Sequence, residues 1–348
     1  MRLSSPPSVA HRQVRFAAPD DIDRLIAFIG RHWKADHVFV KSAALFRYQY
    51  AAPDGFNFVI AEDRAGGEID AILGFISYAD ELRPDICLAM WKVGERCGDP
   101  TLGMHLVEYL KTTLQPRTLS CAGINRKVIP LYQFLGFHTD TLRHYYRLND
   151  RFEDFRIAFV PSAHRRQNIR GKDEPVFSLV RFETFAALSE VFCCGAYRDR
   201  VPYKDAGYLE RRYFQHPVYS YDVCGIDTGA GVGSILVFRE LAVEGAKVLR
   251  IVDFIGDQEH LRGIGGALRR LLYENRYEYV DWYLYGIADD ILADAGLSLK
   301  RDDSDLIIPN HFEPFERKNV AIRFATSHTD GFFMFKADGD QDRPSVVA

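Results

Sequence analysis

The feature that most constrains this chain is an order of strands and helices that occurs twice, once on each side of a polar, proline-bracketed stretch at residues 161–175. In the first half VRFAA reads as a strand. Pro19, Asp20 and Asp21 then open a helix in which Ile22, Leu25, Ile26 and Ile29 recur at helical spacing. FNFVIAED and IDAILGFISYAD read as strands joined by a hairpin at Ala65, Gly66 and Gly67, followed by the strand ICLAMWKV and the helix TLGMHLVEYLKTTL. TLSCAGIN is a strand, IPLYQFLGF a helix ending at Gly136, and TLRHYYRLN the strand that closes this half. After residue 175 the same succession returns: VFSLVRF, the helices TFAALSEVF and YLERRYF, the strand SYDVCGID, and a hairpin of GVGSILVFREL and KVLRIVDFIG around Glu244 and Gly245. GIGGALRRLLYEN is then a helix, EYVDWYLYGI a strand, and DILADAGL a helix ending at Gly296. The residues hardly match between the halves, so what repeats is architecture.

The expected fold is therefore α/β (α+β), with two domains each built on a mixed, mostly antiparallel twisted sheet flanked by helices. One spans residues 1–160 and the other, with an irregular C-terminal tail, residues 176–348. A length of 348 residues agrees, because single cores seldom organise so many. Hydrophobic residues at 47% and charged residues at 26% describe a chain that folds. With 44 Lys and Arg against 48 Asp and Glu, the net charge of -4 provides no broad attraction to nucleic acid or anionic lipid. The opening MRLSSPPSVAHRQ has no apolar run and no strand is long enough to span a bilayer, so a cytoplasmic location without membrane insertion is expected. Six scattered cysteines form no CxxC pair, and no metal is expected.

One segment carries specific chemistry. In HLRGIGGAL a glycine loop follows the strand KVLRIVDFIG and opens a helix. A helix N-terminus leaves backbone N–H groups unpaired and carries partial positive charge, and both suit a pyrophosphate. Gly263, Gly265 and Gly266 would let the backbone approach phosphate oxygens without an intervening Cβ, and Arg262 adds a cation.

The strand, glycine loop and helix of RIVDFIGDQEHLRGIGGAL, its degenerate counterpart MWKVGERCGDPTLGMHL, and the element GINRKVIPLYQFLGF together resemble the GCN5-related (GNAT) acyltransferase superfamily in a tandem form. The resemblance implies acyl-CoA as co-substrate and an amine attacking its thioester directly. It places Phe254, Ile255, His260, Arg262, Gly263, Ile264, Gly265 and Gly266 around the coenzyme, with His260 where the family usually has Gln or Arg. The first-half loop departs further: Asp99 would repel phosphate, Pro100 lacks an N–H, and Gly103 alone keeps its place. That half in turn keeps Asn125, Tyr132 and the pair Gly136–Phe137 of the family's later coenzyme element. The sequence leaves open which half binds the coenzyme and inclines to the second. A carboxylate near the central strands is the implied general base, for which Asp253 and Asp281 are candidates. A backbone N–H from a bulge in the fourth strand is the implied oxyanion donor. Tyr132, Tyr283 and Tyr285 are candidates to protonate the leaving thiolate.

LRHYYRLN, IIPNHFEPF and the terminal KADGDQDRP further resemble acyltransferases of bacterial surface-polysaccharide (O-antigen, capsule or lipopolysaccharide) biosynthesis, which implies a nucleotide-linked deoxyamino sugar as acceptor. Asn310, Glu313, Asp338, Asp340 and Arg343 are the candidate substrate-binding residues. Two alternatives stand beside this reading. A peptide or aminoacyl ligase would need a local basic patch such as Arg165, Arg166, Arg170 and Lys172, and a non-catalytic coenzyme-binding scaffold would need both halves degenerate. Strand edges of such folds pair within or between chains, which is compatible with a homodimer.

Overall fold

The computed structural model describes residues 12–64, 67–165 and 176–345. The hairpin residues Ala65 and Gly66, most of the 161–175 stretch and the basic residues Arg166, Arg170 and Lys172 lie outside them. Two large sheets follow one plan. The first runs Arg12–Ala17, Gly55–Asp63, Ile69–Ser77, Asp85–Val93, Thr118–Ala122, Arg323–Thr326, His138–Thr141. The second runs Ser178–Phe182, Asp222–Asp227, Val232–Val243, Ala246–Gly256, Tyr279–Tyr285, Arg143–Leu148, Ser298–Leu299. In each, neighbours are antiparallel except the fourth and fifth strands, which run parallel.

These orders contain a reciprocal exchange. Arg143–Leu148, expected to close the first sheet, pairs instead with Tyr279–Tyr285 and Ser298–Leu299 of the second. The equivalent slot of the first sheet is filled by Arg323–Thr326, between Thr118–Ala122 and His138–Thr141. A period-2 pattern fixes which face of a strand is buried and leaves its partner undetermined, so the sequence could not show this.

Most of the elements form where the pattern places them, whereas the helices Val38–Lys41 and Ala43–Tyr50 and the strands His138–Thr141 and Arg323–Thr326 have no counterpart in it. The helix Ile22–His32 buries Ile22, Leu25, Phe28 and Ile29. The helices Ile129–Phe134 and Asp289–Asp294 are each followed by a glycine at positive φ, Gly136 and Gly296. One face of the first sheet packs Val59, Leu73 and Leu88 against Leu106 and Leu110 of the helix Leu102–Leu114. The other face, with Phe39, Phe46 and Phe58, is continuous with Tyr208, Tyr213 and Val237 of the second half in a single apolar cluster. The halves thus share strands and a core. Among the described residues no helix is long and apolar enough to cross a membrane.

Candidate active site

In both halves the parallel fourth and fifth strands pair over a few residues and then part, leaving a wedge above the sheet centre. In the first half pairing ends at Leu88 and Cys121, in the second at Ile251 and Trp282. The fourth strand of each sheet carries one extra residue there. Leu73 and Phe75 face Trp91 and Leu88, while Val237 and Phe238 face Asp253 and Ile251. Such a bulge takes a residue out of the ladder, the feature of the fourth strand that the resemblance implied.

The two wedges differ in what fills them. In the second, residues 251–256 are all buried, and the tail enters the gap. Phe335 and Met334 pair with Leu284 and Tyr285, and the Ala337 N–H donates to the Val252 carbonyl at 2.9 Å. Phe254 and Ile255 are consequently core residues. In the first, Ala89, Trp91, Lys92 and Val93 remain half-buried along one arm, and Gly123 and Asn125 are exposed on the other.

The loops beside the wedges also differ. Gly263, Gly265 and Gly266 of the second half are buried, and a Cβ on Gly263 would lie 2.3 Å from the Phe177 ring. A Cβ on Gly265 would lie 3.3 Å from the Ala295 carbonyl oxygen, so these glycines admit protein rather than open space. Ile264 is fully buried. His260 Nδ1 lies 2.9 Å from the Ser234 hydroxyl, and Arg262 is engaged by Glu259, Asp290 and Asp294. In the first half the carboxylate of Asp99 is turned onto Thr101, accepting from its N–H at 2.9 Å and its hydroxyl at 2.7 Å, with Arg12 at 3.7 Å. The expected repulsion is therefore partly neutralised. The helix Leu102–Leu114 has no acidic residue in its first turn, and Gly103 lets it close on the Trp91 indole, 3.0 Å from a would-be Cβ.

The candidate bases of the second half are spent. Asp253 is fully buried, accepts from Lys204 Nζ at 2.7 and 2.8 Å, and takes the Tyr213 hydroxyl as well. Lys204 also meets Asp338 at 2.6 Å. Burial lowers the Lys204 pKa, but the two carboxylates outweigh it and hold the ammonium above its ordinary value. Burial and Asp253 raise Asp338 despite Lys204. Asp281 is held by Arg250 through two hydrogen bonds of 2.9 and 2.7 Å and by His144 at 3.0 Å. Burial pushes its carboxyl up, Arg250 and His144 more than offset that, and the net shift is downward. Arg250 continues to the Pro309 and Asn310 carbonyls, which assigns Asn310 to this network. Tyr283 stacks on His144 at 3.9 Å and Tyr285 lies tilted against Phe324 at 4.8 Å, both as packed rings. Tyr132 donates to Cys121 Sγ at 3.1 Å, and burial holds its hydroxyl protonated.

The tail brings further groups to the first wedge. A Cβ on Gly339 would lie 2.6 Å from Cys87 Sγ, and Gln341 donates to the Ala122 carbonyl at 3.2 Å. Asp340, between them in sequence, is thereby held across the point where the first-half strands part. It pairs with Arg343, which stands 5.6 Å from the Phe39 ring centre. Burial first and the Asp340 charge second raise the pKa of the Tyr50 hydroxyl, which has no hydrogen-bond partner among the described residues. Asp342 is buried against Tyr221 at 2.9 Å and Arg239 at 3.0 Å, whereas Glu313 accepts from Tyr219 at 2.8 Å away from the wedge. Lys204, Arg250, His144 and Gln341 were not legible as site residues, because no local pattern marks a side chain that finds its partner through an exchanged strand or a returning tail. Among the described residues no group of His, Cys, Asp and Glu could hold a metal ion.

One buried histidine, His37, and one half-buried, His216, should make this region acid-sensitive. His37 and His216 each accept backbone N–H groups at Nδ1, which requires the unprotonated nitrogen. Burial lowers them to about 4 and about 3. The unfolded chain binds these protons first, so stability should be intact above pH 6.5 and fall as the pH drops toward 4. The slope should approach about 1.4 kcal/mol per pH unit for each histidine. Urea melts of wild type and of His216→Phe across this window check it, and a variant slope equal to wild type would exclude His216.

No family model matches the sequence, and no curated protein sequence matches it. Similarity appears in structure. A GCN5-related N-acetyltransferase from Anabaena variabilis ATCC 29413 superimposes with a TM-score of 0.55 at 9% identity, over 90% of this chain and 72% of that one. A conserved protein of unknown function from Enterococcus faecalis V583, named a probable N-acyltransferase, gives 0.56 at 7% identity over 90% and 71%. At such identities the likeness is one of architecture, and the chain has the fold of the GCN5-related N-acetyltransferases, laid out on two sheets that exchange a strand.

Proposed function

We propose that this chain is an acyl-CoA-dependent N-acyltransferase whose first half holds the coenzyme, while the second braces the site and supplies the tail. The observation carrying this reading is the contrast between the wedges. The second is filled by Met334–Phe335 and the first keeps half-buried arms beside a helix of thirteen residues with no acid in its first turn. This reverses the inclination toward the glycine loop. The pantetheine arm would lie along Ala89–Val93 and the pyrophosphate at the N-terminus of Leu102–Leu114, where the helix dipole favours an anion. A backbone N–H of the bulge would meet the thioester oxygen as it gains charge. Asp340 would take the proton of the attacking amine.

The finer expectation, a nucleotide-linked amino sugar as acceptor, finds little support in the geometry. Two of the segments that suggested it have structural work, LRHYYRLN as the exchanged strand and IIPNHFEPF around Arg250, and the third, KADGDQDRP, brings no surplus of cations that would receive a diphosphate.

Calorimetric titration of acetyl-CoA tests the assignment. Thr101→Glu places a like charge at the proposed phosphate site and should weaken binding by about tenfold or more. Arg262→Glu should leave it unchanged. The opposite pattern moves the coenzyme to the second half, and binding without thiol release on any amine would favour a scaffold.

A further inference from the structure

Resting on the first half as the reacting one, we infer that the acceptor is a cationic di- or polyamine, bound in a cavity between the two halves. This cavity, about 520 Å³, lies between the first sheet and the Ala206–Leu209 helix of the second half. Phe16, Phe56 and Phe75 give it an apolar body. Asp54, Asp80, Glu81 and Asp205 give it four carboxylates, against the single cation Arg211.

Two of the carboxylates are already engaged. Glu81 pairs with Arg198 at 2.5 Å, and Asp205 accepts from the Tyr208 and Asp80 N–H groups at 2.7 Å each. Among the described residues Asp54 and Asp80 have no ion-pair partner. A rings-and-carboxylate lining fits an ammonium on an aliphatic chain, because the chain buries apolar area while the charge is matched at the rim. It disfavours a nucleoside diphosphate, whose two or more negative charges would face Asp54 and Asp80.

Position ties the cavity to the reaction centre. Ser77 lines it, and the next residue along that strand, Ile76, is paired with Cys87, the residue covered by Gly339. Tyr208 and Arg211 continue from this cavity into a small gap lined by Ile76, Arg212 and Gly339. A second ammonium held at Asp54 or Asp80 would leave the distal amine free to reach Asp340 along this path. Transfer then forms the amide C–N bond and breaks the thioester C–S bond. The amine proton passes to Asp340 and the leaving thiolate takes one from water.

The test follows free thiol with acetyl-CoA and four probes: 1,4-diaminobutane, spermidine, n-butylamine and a UDP-linked amino sugar. Asp54 and Asp80 are exposed, so diamines should exceed butylamine in kcat/KM by about two- to fivefold, the gain expected of a charge matched at a solvated carboxylate. The double variant Asp54→Asn/Asp80→Asn should lose that preference through the amine KM, with the acetyl-CoA KM unchanged. Ala52→Trp should raise the amine KM by filling the cavity. An unchanged amine KM in both variants, a rise in the acyl-CoA KM alone, or preference for the UDP-linked sugar overturns the proposal. Acetyl-CoA binding without turnover of any probe overturns it while leaving the coenzyme site standing, and absence of acetyl-CoA binding overturns both.

Discussion

Asp340→Asn is expected to lower kcat/KM by about 10²–10⁴-fold, the range for loss of a positioned general base, while acetyl-CoA affinity stays at the wild-type value. Asp340 lies between Gly339, packed on Cys87, and Gln341, bonded to Ala122, so its main chain is fixed by neighbours that the substitution leaves alone. Asparagine keeps the shape and removes the proton acceptor. The attacking amine must shed its proton to react, so the deficit should shrink as the pH rises toward the amine's own pKa. A variant within twofold of wild type at neutral pH would remove Asp340 from the chemistry, and a constant deficit across pH would leave it only a positioning role.

Lys204→Met should destabilise the fold by about 3–5 kcal/mol, because it strips the cation from two buried carboxylates that cannot reach water. Lys204 touches Asp253 on the fourth strand of the second sheet and Asp338 in the tail, and all three side chains are almost wholly buried. Loss of the ammonium leaves Asp253 with the Tyr213 hydroxyl and the Phe254 N–H, and leaves Asp338 with the Phe335 N–H. Chemical denaturation measures the cost. Limited proteolysis should cut the released tail earlier than in wild type. Adding Asp338→Asn should recover part of the stability by halving the unpaired charge. If Lys204→Met alone is as stable as wild type, the triad does not hold the tail.

The fold was legible because it depends on local pattern. The strands RIVDFI and YVDWYL, the turn at Glu244–Gly245 and the helix stops at Gly136 and Gly296 each announce themselves within a dozen residues. The site was legible only in parts. Asp253 and Asp281 stand out as charges among apolar neighbours, which is equally the signature of a catalytic acid and of a buried ion pair. Lys204 and Arg250, which decide between these, lie far off in sequence. HLRGIGGAL reads as a phosphate cradle from its glycines alone, yet Phe177 and Ala295 occupy the space those glycines open. KADGDQDRP reads as a solvated tail or a ligand-facing turn, and it is neither wholly: Asp338 and Asp342 are interior, while Asp340 pairs with Arg343 beside the Phe39 ring. Charge composition cannot separate these cases, because burial of a charge is decided by the partner that meets it.

The exchanged strands bear on how the molecule is made. As the chain leaves the ribosome, the strand ending at Ala122 and the one starting at His138 must wait for Arg323–Thr326 before they are joined. The first sheet therefore emerges with a gap at its sixth strand, and its edge stays open during synthesis of most of the second half. Arg143–Leu148 waits likewise for Tyr279–Tyr285. Neither half should be rescued by expressing it alone, and mixing separately made halves would be a concentration-dependent assembly. With Asp340 as the proposed base, a carboxylate that arrives just after Arg323–Thr326 would couple the onset of activity to closure of the first sheet.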